Sequence, residues 1–279
     1  MLHEILPHRF SNHFEGSTTF APNSFVLHFN ENQVLLKNNG DKFEIPRKTD
    51  IKELSSSWHK SYLFALDNTP CFLLHKKPET NNGQLVYKDI YFLRSLEHKE
   101  QAWVGATGYH LAGWYARNKY CGNCGSATRE KADERALVCP ACNTIVYPNI
   151  APAVIVAITS GNKILLARNA GFRNNWYSLI AGYAEIGESL EETVAREVKE
   201  EVGIDVTNIK YYKSQPWPFS GSMMIGFFAQ ANENQPIITD NKEITEAGWF
   251  TRGNLPEHPP VLSIAGEMIE NFEKYGSNP

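Results

Sequence analysis

The 279 residues are 42% apolar and 12% aromatic, and 27 basic against 31 acidic side chains leave a net charge of −4. That length supports two compact domains with ordinary cores, and that charge excludes a generic affinity for polyanions. No apolar run approaches the ~20 residues of a bilayer span, the start MLHEILPHRF lacks a basic stretch followed by an apolar core, and the end GSNP matches no common address signal. A reducing cytoplasm is the expected setting.

The first part of the chain alternates short apolar runs with Asn, Gly and Pro turns. Strands are predicted at Ser24 to Phe29, Gln33 to Lys37, Tyr62 to Leu66 and Cys71 to His75, with turns at NNGD and at NNGQ, residues 81 to 84. A helix follows from about Lys99 to Arg117, with Ala102, Ala106, Leu111, Trp114 and Tyr115 as buried candidates. His3, His8, His13, His28, His59, His75, His98 and His110 are scattered without metal-ligand spacing, so surface or satisfied core histidines are expected. Cys71, in PCFLLH, reads as a small buried hydrophobe, since nothing nearby in the sequence would depress its pKa.

The other four cysteines are organised. Cys121, Cys124, Cys139 and Cys142 give C-x2-C-x14-C-x2-C, close to the spacing of a four-thiolate structural zinc site with no open coordination position. Two disulfides or two redox pairs are the alternatives; a reducing compartment disfavours the first, and redox pairs more often occur singly beside a βαβ pattern.

From about Tyr147 onward strands and helices alternate. Ala153 to Ile158 and Lys163 to Ala167 read as strands joined by a turn over Thr159 to Asn162, and Trp176 to Ile180 as a third. Further strands are expected near Ile209 to Tyr212, at Met223 to Ala229 and at Gly248 to Phe250, with a closing helix from about Pro260 to Tyr275. Between two of them, Ser214 to Ser222 (SQPWPFSGS) reads as a loop stiffened by two prolines and carrying two aromatic rings.

The most telling segment is GYAEIGESLEETVAREVKEEVGI, from Gly182 to Ile204. Ser189 and Glu192 suit a helix-start capping box, Val194 and Val198 an apolar stripe, and Gly203 a helix stop. Glu197, Glu200 and Glu201 then fall at i, i+3 and i+4, on one face within about a turn. Like charges there repel by a few tenths of a kcal/mol per pair. A hard divalent cation, which takes oxygen ligands and also touches phosphates, is the natural compensation; a plain solvated acidic face is the alternative.

This segment resembles the complete signature of the Nudix hydrolases. With the cysteine knuckle before it and SQPWPF after it, the chain resembles the NADH pyrophosphatase subgroup from about Lys119 to Phe250. The resemblance implies an α/β (α+β) fold: a Nudix α/β/α sandwich with a mixed sheet over residues 147–279, preceded by a zinc ribbon over 117–146 and a strand-rich N-terminal domain over 1–116. It implies metal-dependent hydrolysis of the pyrophosphate bond of NADH or NAD⁺ to nicotinamide mononucleotide and AMP, and, as a related reaction, removal of NAD caps from RNA 5′ ends. Glu197, Glu200 and Glu201 are carried over as Mg²⁺ or Mn²⁺ ligands and Glu243 as a fourth ligand or a base, with Glu201 assisting deprotonation of the attacking water and Glu188 pairing with Arg196 to brace the loop. Cys121, Cys124, Cys139 and Cys142 are carried over as zinc ligands. Tyr147 and Tyr183 match positions whose rings sandwich a base, and Gln215, Trp217, Phe219 and Ser222 belong to the specificity motif. A homodimer is implied, with Tyr147 reaching the partner's site.

Two positions depart from the subgroup pattern: Ser220 stands where Pro is usual and Tyr183 where Phe is common. No G-x-G-x-x-G follows a strand, which disfavours a dehydrogenase. Arg117, Lys119, Arg129, Lys131 and Arg135 around the ribbon could meet an RNA backbone, but five charges over this span are also what any solvated knuckle carries, which is the favoured reading. A nucleic-acid-binding ribbon protein with an inactive Nudix domain is the rival reading; the intact set of glutamates argues against it.

Overall fold

The computed structural model describes residues 1–52, 54–55, 57–80, 83–171, 175–239 and 241–277. It divides into two compact units, one of Leu2–Asn149 with Pro218–Gly221, the other of Met1, Ile150–Trp217 and Ser222–Pro279.

The first unit opens with β1 (Phe10–Ser11), β2 (Phe25–Leu27), β3 (Phe29–Asn30), β4 (Gln33–Asn38) and β5 (Phe43–Glu44). It continues with β6 (Lys60–Leu66), β7 (Thr69–Leu74) and β8 (Leu85–Asp89), then α1 (Lys99–Arg117). One sheet runs β1-β6-β7-β2; in the other β4 pairs with β3, β5 and β8. The helix has the bounds the sequence predicts, and Ala102, Ala106, Leu111, Trp114 and Tyr115 are all buried. Asn81 and Asn82 of the expected second turn lie outside the described residues. Cys71 is fully buried, and desolvation pushes its thiol well above the usual range.

The same unit carries β9 (Arg129–Glu130), β10 (Leu137–Val138) and β11 (Ile145–Val146), a three-stranded antiparallel sheet. Two knuckles flank it with one repeated bonding pattern. Gly125 N donates to Cys121 O and Asn143 N to Cys139 O; Cys121 N donates to Ser126 O and Cys139 N to Thr144 O. Gly125 and Asn143 both take positive φ, the conformation that Gly and Asn adopt most readily.

The second unit contains β12 (Ala151–Ser160), β13 (Lys163–Asn169), β14 (Ile180–Tyr183), α2 (Leu190–Val202), β15 (Thr207–Trp217), β16 (Ser222–Gln230), β17 (Ile244–Thr251) and α3 (Ile264–Tyr275). The sheet is mixed: β12 is parallel to β16 and antiparallel to β13 and β14. Successive residues of β12 point to opposite faces. Val154, Val156 and Ile158 pack with Val194, Val198 and Val202 of α2, while Ile155 and Ala157 pack with Ile264, Met268 and Phe272 of α3. A continuous apolar run is what a strand covered on both faces requires. Burying each such side chain contributes about 1.5–3 kcal/mol, so three valines outweigh the few tenths per pair by which the glutamates of α2 repel.

Two predicted elements are placed differently. The third strand of this unit is Ile180–Tyr183 rather than Trp176 to Ile180; Ser178 makes an isolated bridge to Ala167, and Ala181, Gly182 and Tyr183 join the ladder on β12. The expected loop from Ser214 is strand as far as Trp217, leaving a turn over 218–221. Proline is tolerated there because β15 is an edge strand, where a missing N–H breaks no second ladder. The closing helix begins at Ile264, where Ser263 Oγ accepts from Gly266 N.

Candidate active site and metal centres

Local chemistry positions α2 in three steps. Ser189 Oγ accepts from Glu192 N, and Glu192 Oε2 accepts from Ser189 N at 2.8 Å, completing the capping box. Val194, Val198 and Val202 turn one face to the sheet. Gly203 ends the helix with φ 75° and donates to Lys199 O. Glu201 is buried beside those valines, Glu197 is partly buried next to it and Glu200 is exposed.

Arg196 organises them. Its Nε and Nη2 make a two-point contact with Glu188, at 2.6 and 2.9 Å. Its Nη1 reaches Glu197 Oε1 at 2.9 Å and Glu200 Oε2 at 3.0 Å, and Nη2 also donates to Tyr183 O. Glu188 accepts further from Glu185 N and Thr193 Oγ1. Bonding from Arg196, then from the Glu185 amide, pulls the Glu188 carboxyl down to about 2, and Glu188 in turn raises Arg196 further above its already high value.

Glu197 is half-buried, and desolvation raises its pKa against the opposing pull of Arg196; Glu200 and Glu243 add like-charge repulsion. Its carboxyl lies flat against Gly182 of β14, where a Cβ would overlap it. Glu201 is 6% exposed at the buried edge of the helix, and Glu243 immediately precedes β17, its carbonyl accepting from Ala170 N. The structure therefore collects Glu188, Arg196, Glu197 and Glu200 into one bonded cluster, with Glu243 close enough to act on Glu197 electrostatically. Carboxylate oxygens concentrated around the Arg196 guanidinium are a donor set suited to hard divalent cations.

The residues expected to touch substrate are treated unequally by the fold. Tyr183 is 51% exposed and Tyr147 is 55% exposed, its hydroxyl donating to Glu134 at 3.2 Å. Phe219 stacks on Tyr91 with ring centroids 5.4 Å apart. Trp217 is half-buried and Ser222 buried, facing each other across β15 and β16. Gln215 is fully buried, its Nε2 donating to Leu262 O and its Oε1 accepting from Ile264 N. Both ends of that amide thus fasten β15 to the start of α3. A strand position whose side chain turns to the α3 face was not visible while the segment read as a loop.

The four ribbon sulfurs converge. Cys121 and Cys142 Sγ are 3.6 Å apart and Cys124 and Cys139 Sγ 3.5 Å apart, with all four within 4.8 Å of one another and none in a disulfide. A tetrahedron of Zn–S bonds of ~2.3 Å has edges of about 3.8 Å, so the set fits a closed structural zinc.

Comparison with known proteins agrees with this geometry. The NUDIX domain profile matches residues 149–272, the NADH pyrophosphatase zinc ribbon profile residues 116–147, and the profile of the NADH pyrophosphatase-like rudimentary NUDIX domain residues 23–114. The chain belongs to the Nudix family, in the group that carries the NADH pyrophosphatase zinc ribbon. It is 41% identical to the NAD-capped RNA hydrolase NudC of Erwinia tasmaniensis over 66% of this chain and 70% of that one. It is 45% identical to the protein of the same name from an Enterobacter species over 60% of this chain, and there the match spans 65% of the relative's length, a little under two thirds. A Nudix hydrolase structure from Nitrosomonas europaea, 23% identical, superposes on 56% of this chain and 90% of its own with a TM-score of 0.49, too loose to add to the assignment. The rudimentary NUDIX domain falls within the strand-rich region expected over 1–116, which carries no acidic signature to mark its kinship. Among the described residues, no helix is long and apolar enough to cross a membrane.

Proposed function

We propose that this chain is a metal-dependent hydrolase that splits the pyrophosphate of NADH or NAD⁺ into nicotinamide mononucleotide and AMP. The observation that carries the reading is the bonded cluster of Glu188, just before α2, with Arg196, Glu197 and Glu200 in its second half, the Glu197 carboxyl lying against Gly182. The zinc ribbon and the relatives named NAD-capped RNA hydrolase support the dinucleotide as substrate.

Glu197, Glu200, Glu201 and Glu243 would hold Mg²⁺ or Mn²⁺, which neutralises the diphosphate oxygens and makes bound water more acidic. Glu188 fixes the Arg196 guanidinium, and Arg196 in turn holds Glu197 and Glu200 in place for the cation. Glu201, shielded from bulk water, takes the proton from the attacking water. The hydroxyl joins one phosphorus, the P–O–P bridge breaks, and the bridging oxygen leaves with the other phosphate. Tyr183 offers an exposed ring face for a base. In a homodimer, Tyr147 would serve the partner's site, and cysteines of which none is in a disulfide suit a reducing cytoplasm.

Chromatography of an NADH digest tests the reading: it predicts equal amounts of AMP and reduced nicotinamide mononucleotide, whereas free nicotinamide or ADP-ribose would contradict it. The same diphosphate occurs in NAD-capped RNA, and the names of the relatives favour that as a second substrate. Side-by-side kcat/KM values on NADH and on capped RNA decide the preference.

A further inference from the structure

We propose that His59, His75 and Glu130 form a second metal site, a set of two imidazoles and one carboxylate for a borderline divalent ion such as Zn²⁺, separate from the four-thiolate ribbon. The proposal is independent of the hydrolytic reading.

The site follows from register. The hairpin of β6 and β7 pairs Lys60 with Leu74, and one step beyond it His75 N donates to His59 O at 3.3 Å. His59 and His75 are therefore opposite one another across antiparallel strands, where side chains on one face come within contact distance. Their rings stack with centroids 4.2 Å apart and planes 23° apart. Fifteen residues lie between them in the sequence, which is why no ligand spacing shows there.

The third donor comes from the ribbon. Glu130, on β9, places Oε1 at 3.3 Å from His59 Nε2, and one ligand atom from each of the three residues lies within 4.8 Å of the others. Zinc bonds of ~2.1 Å to nitrogen and oxygen put ligands about 3.4 Å apart in a tetrahedron, so this pair already has the required separation. Beneath them Ser61 shares the strand face of His59 and is 1% exposed. Its hydroxyl donates to Glu130 Oε1 and meets His75 Nε2 at 2.7 Å, so one buried group aims two of the three ligands. Buried partners of this kind orient metal ligands. His59 and Glu130 are 66% and 31% exposed, which opens the site to an ion from solvent and leaves a position for water. A bound ion would tie the hairpin to the ribbon strand inside one unit.

The test uses the full chain with its ribbon metal retained and excess Mg²⁺ present to occupy the acidic site. Zn²⁺ is titrated by equilibrium dialysis with metal analysis, while the histidine ¹⁵N resonances are followed. The expected result is one further zinc per chain, with resonances of His59 and His75 moving together. Both His59→Ala and Glu130→Gln should lower the affinity of that ion by more than about tenfold, since even loss of an outer partner costs that much. His59 is exposed, so its removal leaves the core intact. No further zinc in the wild type, or a further zinc bound equally well by both variants, would overturn the proposal.

Discussion

Gly182 and Glu197 occupy the same space in turn: the carboxyl of Glu197 lies where a Cβ on residue 182 would be. The glycine heading the acidic segment is thus a seat cut into β14 for a carboxylate from α2. Gly182→Ala should displace Glu197 and lower kcat by about 100-fold, the cost typical of a misplacement near 1 Å. Alanine suits a strand better than glycine does, so circular dichroism and the melting temperature should change little. A variant with full activity would show that Glu197 need not sit there.

The Glu188 carboxyl, pulled down to about 2 by Arg196, makes a pH-dependent contribution. Its folded value lies below the ordinary 4.5, so the stability it adds is fully present above about 4.5 and is lost as pH falls towards about 2. Urea titrations of wild type and Glu188→Gln should show a gap in stability that narrows across that window. A gap independent of pH would contradict the pairing.

Gln215 belongs to the sequence motif of the substrate loop, yet its amide bridges Leu262 O and Ile264 N in the interior. Gln215→Ala leaves both backbone groups unpaired and should cost about 1–3 kcal/mol in urea unfolding. KM for NADH should stay within about threefold of wild type if the role is structural alone. A large KM change at unchanged stability would return the residue to the substrate.

Tyr183 presents an exposed ring. If it stacks on a base, Tyr183→Ala should weaken NADH binding by about 1–3 kcal/mol, and Tyr183→Phe should restore it, because the ring face and not the hydroxyl makes the contact. Equal binding by the alanine variant would remove Tyr183 from the site.

What could be read ahead of the structure was local. The capping box at Ser189 and Glu192, the stripe of Val194 and Val198 and the stop at Gly203 are interactions within one helix, and all appear where the spacing puts them. The four cysteines converge because each knuckle is a short turn. What stayed hidden depends on strand order and register. Pro216 and Pro218 suggested a loop because nothing in a sequence marks β15 as an edge. Tyr183 lies beyond the predicted strand Trp176 to Ile180, yet it ends β14, which pairs with β12. His59 and His75 looked unrelated because their meeting depends on the β6 and β7 register.

The most direct test of the central claim is NADH turnover by wild type and Glu201→Gln in Mg²⁺ or Mn²⁺, with AMP quantified by chromatography. The wild type should release AMP in a strictly metal-dependent manner, and the variant should lose about 100-fold or more in kcat, the range for removing a general base. No AMP from the wild type would contradict the assigned reaction, and equal AMP from the variant would contradict the assigned site.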